Sequence, residues 1–477
     1  MSRPLMVLAT LCLVAGCTDQ TDVSAPESAP DNAVDTVSPL ELGLSGVPGG
    51  ARTALSGGAT TVFDATVNAF SLPAPNLVGD AIARHDRGDE DFEDVFEAGA
   101  ASEHPGLGPI FDNVSCEACH QGDGRGRPPN PGEPISSLLF RASVAGPGPH
   151  GGPNPVPGFG GQLQLRAVPG YTPEIQAAIT YVETQGVFAD GTPFQLRVPT
   201  YTLTGMYQAL PPGVLVSPRV APAVFGLGLL EAVPDADLLL LADPRDRNRD
   251  GISGRVNLVW DAVRQRTAIG RFGWKSNTPS LFQQTAGAYN GDMGITSPLF
   301  PAESCEGQFA GCEPHDPEVD NATVGDVAFY SQTLGVPARR NIDDPQVVRG
   351  ELLFHAAGCA GCHVATLRTG LRTGVPAVSG QVIHPYTDLL VHDMGPGLAD
   401  NRPDFQASGS EWRTAPLWGI GLVQTVNGHT DFLHDGRARS LLEAVLWHGG
   451  EAQRARDRVL RFSAEQRAAL VAFLGSL

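Results

Sequence analysis

Two short stretches carry the residues best suited to chemistry: Ser115-Cys116-Glu117-Ala118-Cys119-His120 and Gly358-Cys359-Ala360-Gly361-Cys362-His363. Each sets two thiols two residues apart with an imidazole immediately after them. That spacing lets two thioether bonds reach the two vinyl groups on one porphyrin edge, and it places the histidine to bind iron from the proximal side. Two covalently bound haem c groups are therefore expected, with His120 and His363 as proximal ligands. A zinc site would need a second ligand pair near by, and a redox-active dithiol a surrounding βαβ pattern; neither is visible.

A haem iron with two protein ligands moves electrons, whereas one with an open position binds and activates a small oxidant. The residue opposite each histidine therefore decides the chemistry. For the second haem the candidates are Met394 in LLVHDMGPG, His434 in DFLHDGRA and His448 in LLEAVLWHGGEA. For the first, His150, Met206 and Met293 could reach the iron, although core packing is the ordinary job of such methionines. An open or water-bound first iron is the expectation. Peroxide chemistry there needs a group that moves a proton between the two oxygens. Glu231, in the apolar run GLGLLEAVP, is a carboxylate that burial would keep protonated, and Gln162 in GFGGQLQLR is a second candidate for that pocket. Arg125 and Arg127, just after the first motif, offer either counter-charge for haem propionates or a solvated loop face.

The elements that must position these groups are only partly periodic. Asp344-Pro345 sets a helix start, and Val348, Leu352 and Leu353 then lie near one face leading into the second motif. Ser463 to Gln466 is a capping box, followed by Leu470, Phe473, Leu474 and Leu477 at helical spacing. A helix before the motif and a terminal helix after it are the two long elements that a cytochrome c fold crosses, so residues 337–477 read as one cytochrome c-like domain. Upstream, EDFEDVFEAGA predicts a short helix before the first motif. Beyond that motif the chain runs into GDGRGRPPNPGEP and a long loop-rich stretch, so residues 59–336 read as a first haem domain with large insertions. With 57 Gly and 40 Pro in 477 residues, the expected fold class is mainly α: two cytochrome c-like haem domains with long irregular Gly/Pro-rich loop insertions.

The run Trp412 to Trp418, then Phe432-Leu433-His434-Asp435-Gly436-Arg437 and Ser440 to Val445, resembles the C-terminal haem domain of bacterial di-haem cytochrome c peroxidases. In those relatives the distal ligand follows the Leu-Glu-x-x-Val helix and is Met, or Tyr in the methylamine-dehydrogenase maturation enzyme. His448 holds that place here, so the resemblance implies a His363/His448 haem with a lowered potential. Along nearly the whole chain after residue 58, segments such as SCEACHQGDGRGRPP, FGWKSNTPS and HPYTDLLVHDMGPGLAD are similar to the bacterial di-haem oxidoreductase family. Its members are described as peroxidases and sometimes as thiol oxidoreductases. The relatives use a distal Glu and often bind calcium between their haem domains.

The formal charge of −20, from 32 basic and 52 acidic residues, excludes a nucleic-acid partner and suits a basic protein or a neutral substrate. Residues 1–16 read as an export signal, and Leu13-Val14-Ala15-Gly16-Cys17 as a lipobox that would acylate Cys17. A plain secretory signal cut elsewhere is the alternative. Residues 17–58 would then be a disordered tether, leaving a periplasmic lipoprotein bound to the membrane only through its lipid. Cys305 and Cys312 are expected to form a short-loop disulfide, with a redox-active dithiol as the alternative. Asp246, Asn248 and Asp250 have the D-x-N-x-D-G spacing of a calcium loop, but Asn257 stands where a bidentate Glu belongs.

These residues suit an exported di-haem enzyme, peroxidase-like, that passes electrons from a six-coordinate C-terminal haem to an open N-terminal one. Its partners would be a redox protein or small electron donor, and hydrogen peroxide or another small oxidant. An electron-transfer cytochrome with two six-coordinate haems is the first alternative. A haem-dependent thiol oxidoreductase is the second, although four cysteines committed to thioethers leave neither motif free as a dithiol.

Overall fold

The structure is a computed structural model, and it describes residues 54–99, 104–303 and 316–477. Cys17 and the Cys305/Cys312 pair lie outside the described residues. Elements that bear on the two motifs are numbered in chain order. Helices α1 (Asp80–Glu93), α2 (Leu281–Met293) and α3 (Asn321–Thr333) precede the second motif. Helix α4 (Pro345–Ala357) leads into it, and α5 (Leu441–Leu446), α6 (Gln453–Val459) and α7 (Ala464–Ser476) come after it. Strands β1 (Leu138–Pro147), β2 (Gln176–Val187), β3 (Pro193–Thr204) and β4 (Leu215–Val220) lie between α1 and α2. Strands β5 (Val391–Asp393) and β6 (Glu411–Arg413) lie between α4 and α5.

Each motif is flanked by one helix crossing, α1 with α3 and α4 with α7. The two crossings use the same parts. A Cβ on Gly88 would collide with the Asp326 carbonyl oxygen, and one on Gly350 with the Ala469 carbonyl oxygen, so only glycine lets the helices approach this closely. One turn on, Phe92 packs on Tyr330 with ring centroids 5.3 Å apart, and Phe354 on Phe473 at 5.1 Å. The same phenylalanines touch the motif histidines, Phe92 at 6.2 Å from His120 and Phe354 at 6.3 Å from His363.

Local signals explain the helix ends of the second pair. The Asp344 side chain accepts the Gln346 N–H at 2.7 Å with Pro345 at the first turn. Gly358, at φ +89°, ends α4 in the left-handed region and turns the chain straight into Cys359. The Ser463/Gln466 capping box forms at the start of α7. By contrast, α1 is over by Glu93, so most of EDFEDVFEAGA is not helical. Glu90, Asp91 and Glu93 crowd its last turn, where the helix dipole disfavours acids.

The expectation of a mainly α fold is wrong. Helix makes up 29% of the residues and strand 20%, spread over small sheets. Much of what reads as loop insertion is β-structure: β1 pairs antiparallel with β4, and β2 and β3 form a long antiparallel ribbon from Gln176↔Thr204 to Val187↔Pro193. The residues of ITYVETQ and FQLRVPTYTL alternate and are rich in β-branched and aromatic types, which is the pattern of a half-covered ribbon. Pro199 is compatible with it because a two-stranded ribbon has only edge strands.

This ribbon grips the C-terminal half. The Arg197 backbone N–H donates to Glu443 at 2.8 Å, and its guanidinium to Asp431 and to the Gly436 carbonyl at 2.8 and 2.7 Å. The Tyr201 hydroxyl donates to Asp435 at 3.1 Å, and Arg467 of α7 reaches Asp190 in the ribbon turn at 2.9 Å. Because Glu443 lies on α5, the ribbon fixes the helix that ends just before His448. No described helix is long and apolar enough to cross a membrane.

Candidate functional site

The Nδ1 atom of His120 lies 2.7 Å from the Pro222 carbonyl oxygen, and that of His363 lies 2.9 Å from the Tyr386 carbonyl oxygen. The Nδ1 of His448 is 2.8 Å from the Ala444 carbonyl oxygen. A carbonyl oxygen only accepts, so in all three rings Nδ1 carries the proton and Nε2 keeps its lone pair. A backbone bond that fixes the tautomer in this way is the usual support of a metal-binding imidazole. Burial pushes all three below the ordinary histidine value, His363 to about 4, so the rings stay neutral.

The rings of His363 and His448 face each other, with centroids 6.5 Å apart and planes at 44°. Two imidazoles bound through Nε2 to one iron, at roughly 2 Å each, have centroids about 6 Å apart, so the pair fits a single haem iron between them. Leu417, Phe354, Tyr386 and Phe473 supply the apolar surroundings. Met394 approaches the same turn through its backbone, its N–H donating to the Ser410 carbonyl at 2.9 Å and its carbonyl oxygen facing Gly449.

His120 faces a cavity of about 430 Å³ whose wall includes Cys116, Cys119, Phe70, Phe225 and Trp418. Among the described residues of that wall His120 is the only histidine and Met293 the only methionine. His150 is elsewhere, stacked on Trp260 at 3.9 Å, and Met206 is exposed and does not reach the wall. The cavity also holds Arg125 and Arg413, gathered about Trp274: the Arg125 guanidinium lies over its ring at 5.7 Å, and the Arg413 N–H donates to its carbonyl. Neither arginine has an ion-pair partner among the described residues, and Arg125 Nε has no hydrogen-bond acceptor. Burial holds both guanidiniums down to about 10, so each lacks a counter-charge that propionates would provide. A porphyrin with an apolar body and an anionic end fits these residues. Arg127 turns away, paired with Glu133 at 2.8 Å.

Two carboxylates stand in the same wall, Asp112 and Asp292. Gln162 joins them from behind, its Nε2 lying 2.6 Å from Asp112 Oδ2, 2.9 Å from Asp292 Oδ1 and 2.8 Å from the Gly291 carbonyl oxygen. An amide has two N–H bonds and three acceptors crowd it here, an arrangement relieved when one carboxylate holds a proton. Burial, with the Asp292 charge adding to it, pushes Asp112 up to about 7. Asp112 and Asp292 escape a sequence reading because neither sits in a motif and Gln162 comes from a third segment.

Glu231 does not join this site. It is buried, as expected, but its Oε1 accepts the Leu281 N–H at 2.8 Å, and its Oε2 takes Gln332 and Arg372, each at 2.7 Å. It anchors the start of α2 and lies outside the cavity wall. His434 is stacked on Trp412 at 3.8 Å, away from both motif histidines. A neighbour of Met394 matters more: His392 lies 3.6 Å from Cys362 Sγ and is held between Asp388 and Glu451, each at 2.8 Å. These two carboxylates raise it well above the ordinary histidine value.

The calcium-like loop closes on its own donors. Asp246 accepts the Gly251 N–H at 3.2 Å, and Asn248 Nδ2 donates to Asp250 at 2.9 Å. Among the described residues no group of His, Cys, Asp or Glu is arranged to hold a separate metal ion. As free thiols the motif cysteines are also poor redox reagents, since burial pushes Cys119 and Cys359 up to about 12.

Two histidines with matching backbone supports, each just after a Cys-x-x-Cys turn and against a helix crossing, define a haem protein with two centres. The chain belongs to the di-haem oxidoreductase family: the family model described as "Di-haem oxidoreductase, putative peroxidase" matches residues 51–138 and 144–477. Haem is accordingly its cofactor and oxidoreduction its activity class. Neither the curated proteins nor the solved structures yield a match.

Proposed function

We propose that the protein is an exported di-haem peroxidase, tethered by a lipid on Cys17 at the periplasmic side of a bacterial membrane. In this reading c-type haems are attached at Cys116/Cys119 and Cys359/Cys362; the second, held by His363 and His448, receives electrons, and the first, held by His120 alone, is where hydrogen peroxide is reduced. The observation that carries the reading is the difference between the histidines. His363 faces another imidazole at 6.5 Å, while the described residues of the cavity wall at His120 offer two carboxylates and no second histidine.

When bound, the haems supply electron transfer and the redox chemistry of the peroxide oxygens. The chain's own residues hold the cofactors and the proton. Pro222 and Tyr386 carbonyls orient the proximal rings, Arg125 and Arg413 balance propionate charge, and Asp112 stores a proton beside the first centre. Splitting peroxide to two waters consumes two protons with two electrons, and an acid with a value near 7 is matched to that task. Gln162 positions Asp112 against Asp292 without donating a proton itself.

The test is peroxide consumption by the purified holoprotein supplied with a reducing donor, in wild type and His120→Ala, with haem content measured in both. Loss of turnover with both haems still attached is expected. Full turnover in His120→Ala contradicts the assignment of the reaction to the first centre.

A further inference from the structure

The chain's net charge of −20 calls for a cationic partner, but the charge beside the second motif has the other sign. Three segments converge on the Cys359–Gly361 turn. Ile252, at the end of the calcium-like loop, packs its Cδ1 against Gly361. Arg454 of α6 donates from Nη1 to the Asp250 carbonyl oxygen at 2.7 Å, and Arg458, one turn on, donates to the Ala357 carbonyl oxygen at 3.0 Å. The loop and the arginine-rich helix thus form one rim around the edge at which Cys359 and Cys362 are half-buried.

The carboxylates of this rim are turned toward the backbone. Asp243 accepts the N–H groups of Arg247 and Asn248, Asp246 that of Gly251, and Asp250 that of Ile252, while Glu451 is taken by Ser253 and His392. The arginines keep their charge uncompensated: Arg454 and Arg458 donate only to backbone carbonyl oxygens. Arg245, Arg247, Arg249, Arg454 and Arg458 are all exposed, and none has a carboxylate partner among the described residues. Some exposed arginines elsewhere are neutralised, as Arg87 is by Asp326 and Arg439 by Glu183, while Arg266, Arg349, Arg368 and Arg461 stand without a carboxylate partner among the described residues; the rim differs in gathering five such arginines beside one motif.

We propose that these five arginines form the docking face for an acidic redox protein that delivers electrons to the second haem. The proposal rests on the electron-port reading above. One electron leaves the partner in each encounter, and two encounters supply the two electrons that, with two protons, convert one hydrogen peroxide to two waters. The geometry favours this face because the motif edge lies within its rim. The acidic remainder of the surface repels such a partner, so the rim also sets its orientation.

The test uses the holoprotein with a plant-type [2Fe–2S] ferredoxin as an acidic probe and a lysine-rich cytochrome c as a cationic one. Binding is read by surface plasmon resonance, and reduction of the second haem by stopped-flow absorption. Arg247→Glu/Arg249→Glu alters side chains that hold nothing in the fold, and Arg264→Glu/Arg266→Glu makes the same charge change on a separate hairpin. At low salt the first variant should lose about tenfold or more in ferredoxin association rate, the second less than about twofold, and the difference should vanish at high salt. An equal loss in both variants, no loss in either, or preference for the cationic probe unaffected by the substitutions overturns the proposal. Charge-dependent binding without electron entry into the second haem would leave the face standing and overturn the electron-port reading.

Discussion

The imidazoles of His363 and His448 face each other at 6.5 Å, each with Nδ1 bound to a backbone carbonyl and Nε2 free. The helix that delivers His448 is fixed from the other half of the chain, through the Arg197 N–H on Glu443. No equivalent imidazole stands in the described wall of the cavity at His120. The two centres therefore share a proximal design and differ in what faces it.

Asp112→Asn should lower peroxide turnover by roughly 100-fold while leaving both haems attached. Asp112 keeps its proton up to about pH 7, so wild-type turnover should fall above that pH and the variant should show no such limb. The same shift sets the sign of the stability effect. The folded-state value lies above the unfolded one, so the native state binds the extra proton and this contribution weakens as pH rises from about 4 to about 7. Urea unfolding at pH 5 and pH 8 should show a smaller pH difference in the variant. Unchanged turnover and an unchanged pH profile would remove Asp112 from the proton path.

Arg125→Gln removes a half-buried cation that has no carboxylate partner among the described residues. If it balances a propionate, the first haem becomes easier to oxidise, and its potential should fall by about 40 mV, equivalent to about 1 kcal/mol for one electron. A spectroelectrochemical titration that resolves the two haems checks this. A shift confined to the second haem would place the guanidinium's role elsewhere.

Glu231→Gln should cost roughly 1–3 kcal/mol of stability, because Arg372 loses its charged partner and the cap on α2 weakens. Peroxide turnover per haem should stay within about twofold of wild type. A large loss of turnover in a folded variant would return Glu231 to the reaction.

Much of the site is legible because it is local. The Cys-x-x-Cys-His motifs, the Asp344-Pro345 helix start, the Ser463/Gln466 capping box and the position of Arg125 all depend on residues within a few places of one another. Glu231 shows the limit. Its burial can be read from its apolar neighbours, but Arg372, which neutralises it, comes 141 residues later. Asp112, Gln162 and Asp292 meet only because β1 and α2 bring three segments together, and nothing local marks them. One repeat is written in the residues themselves: Arg87-Gly88-x-x-x-Phe92 and Arg349-Gly350-x-x-x-Phe354 precede the two motifs and build the same helix crossing. Unequal loop lengths, from Phe92 to Cys116 and from Phe354 to Cys359, hide it. The weight of Gly and Pro in the composition hides the β2–β3 ribbon, although its alternation is clear once that segment is considered alone.

Gly350→Val tests that shared crossing. The added side chain must displace the Ala469 carbonyl or push α4 off α7, an overpacking that costs roughly 1–3 kcal/mol. Thermal unfolding should report the loss, and the second haem's low-spin signal should broaden as Phe354 shifts against His363. Wild-type stability in the variant would mean that the helices do not cross in this way.

Two like motifs with unlike ligation give two different ferric spin states, which electron paramagnetic resonance of the holoprotein separates. The wild type should show one low-spin haem and one high-spin haem. His448→Ala should abolish the low-spin signal, and His120→Ala should alter only the high-spin one. Two low-spin haems in the wild type, or a low-spin signal that survives His448→Ala, would contradict that unlike ligation.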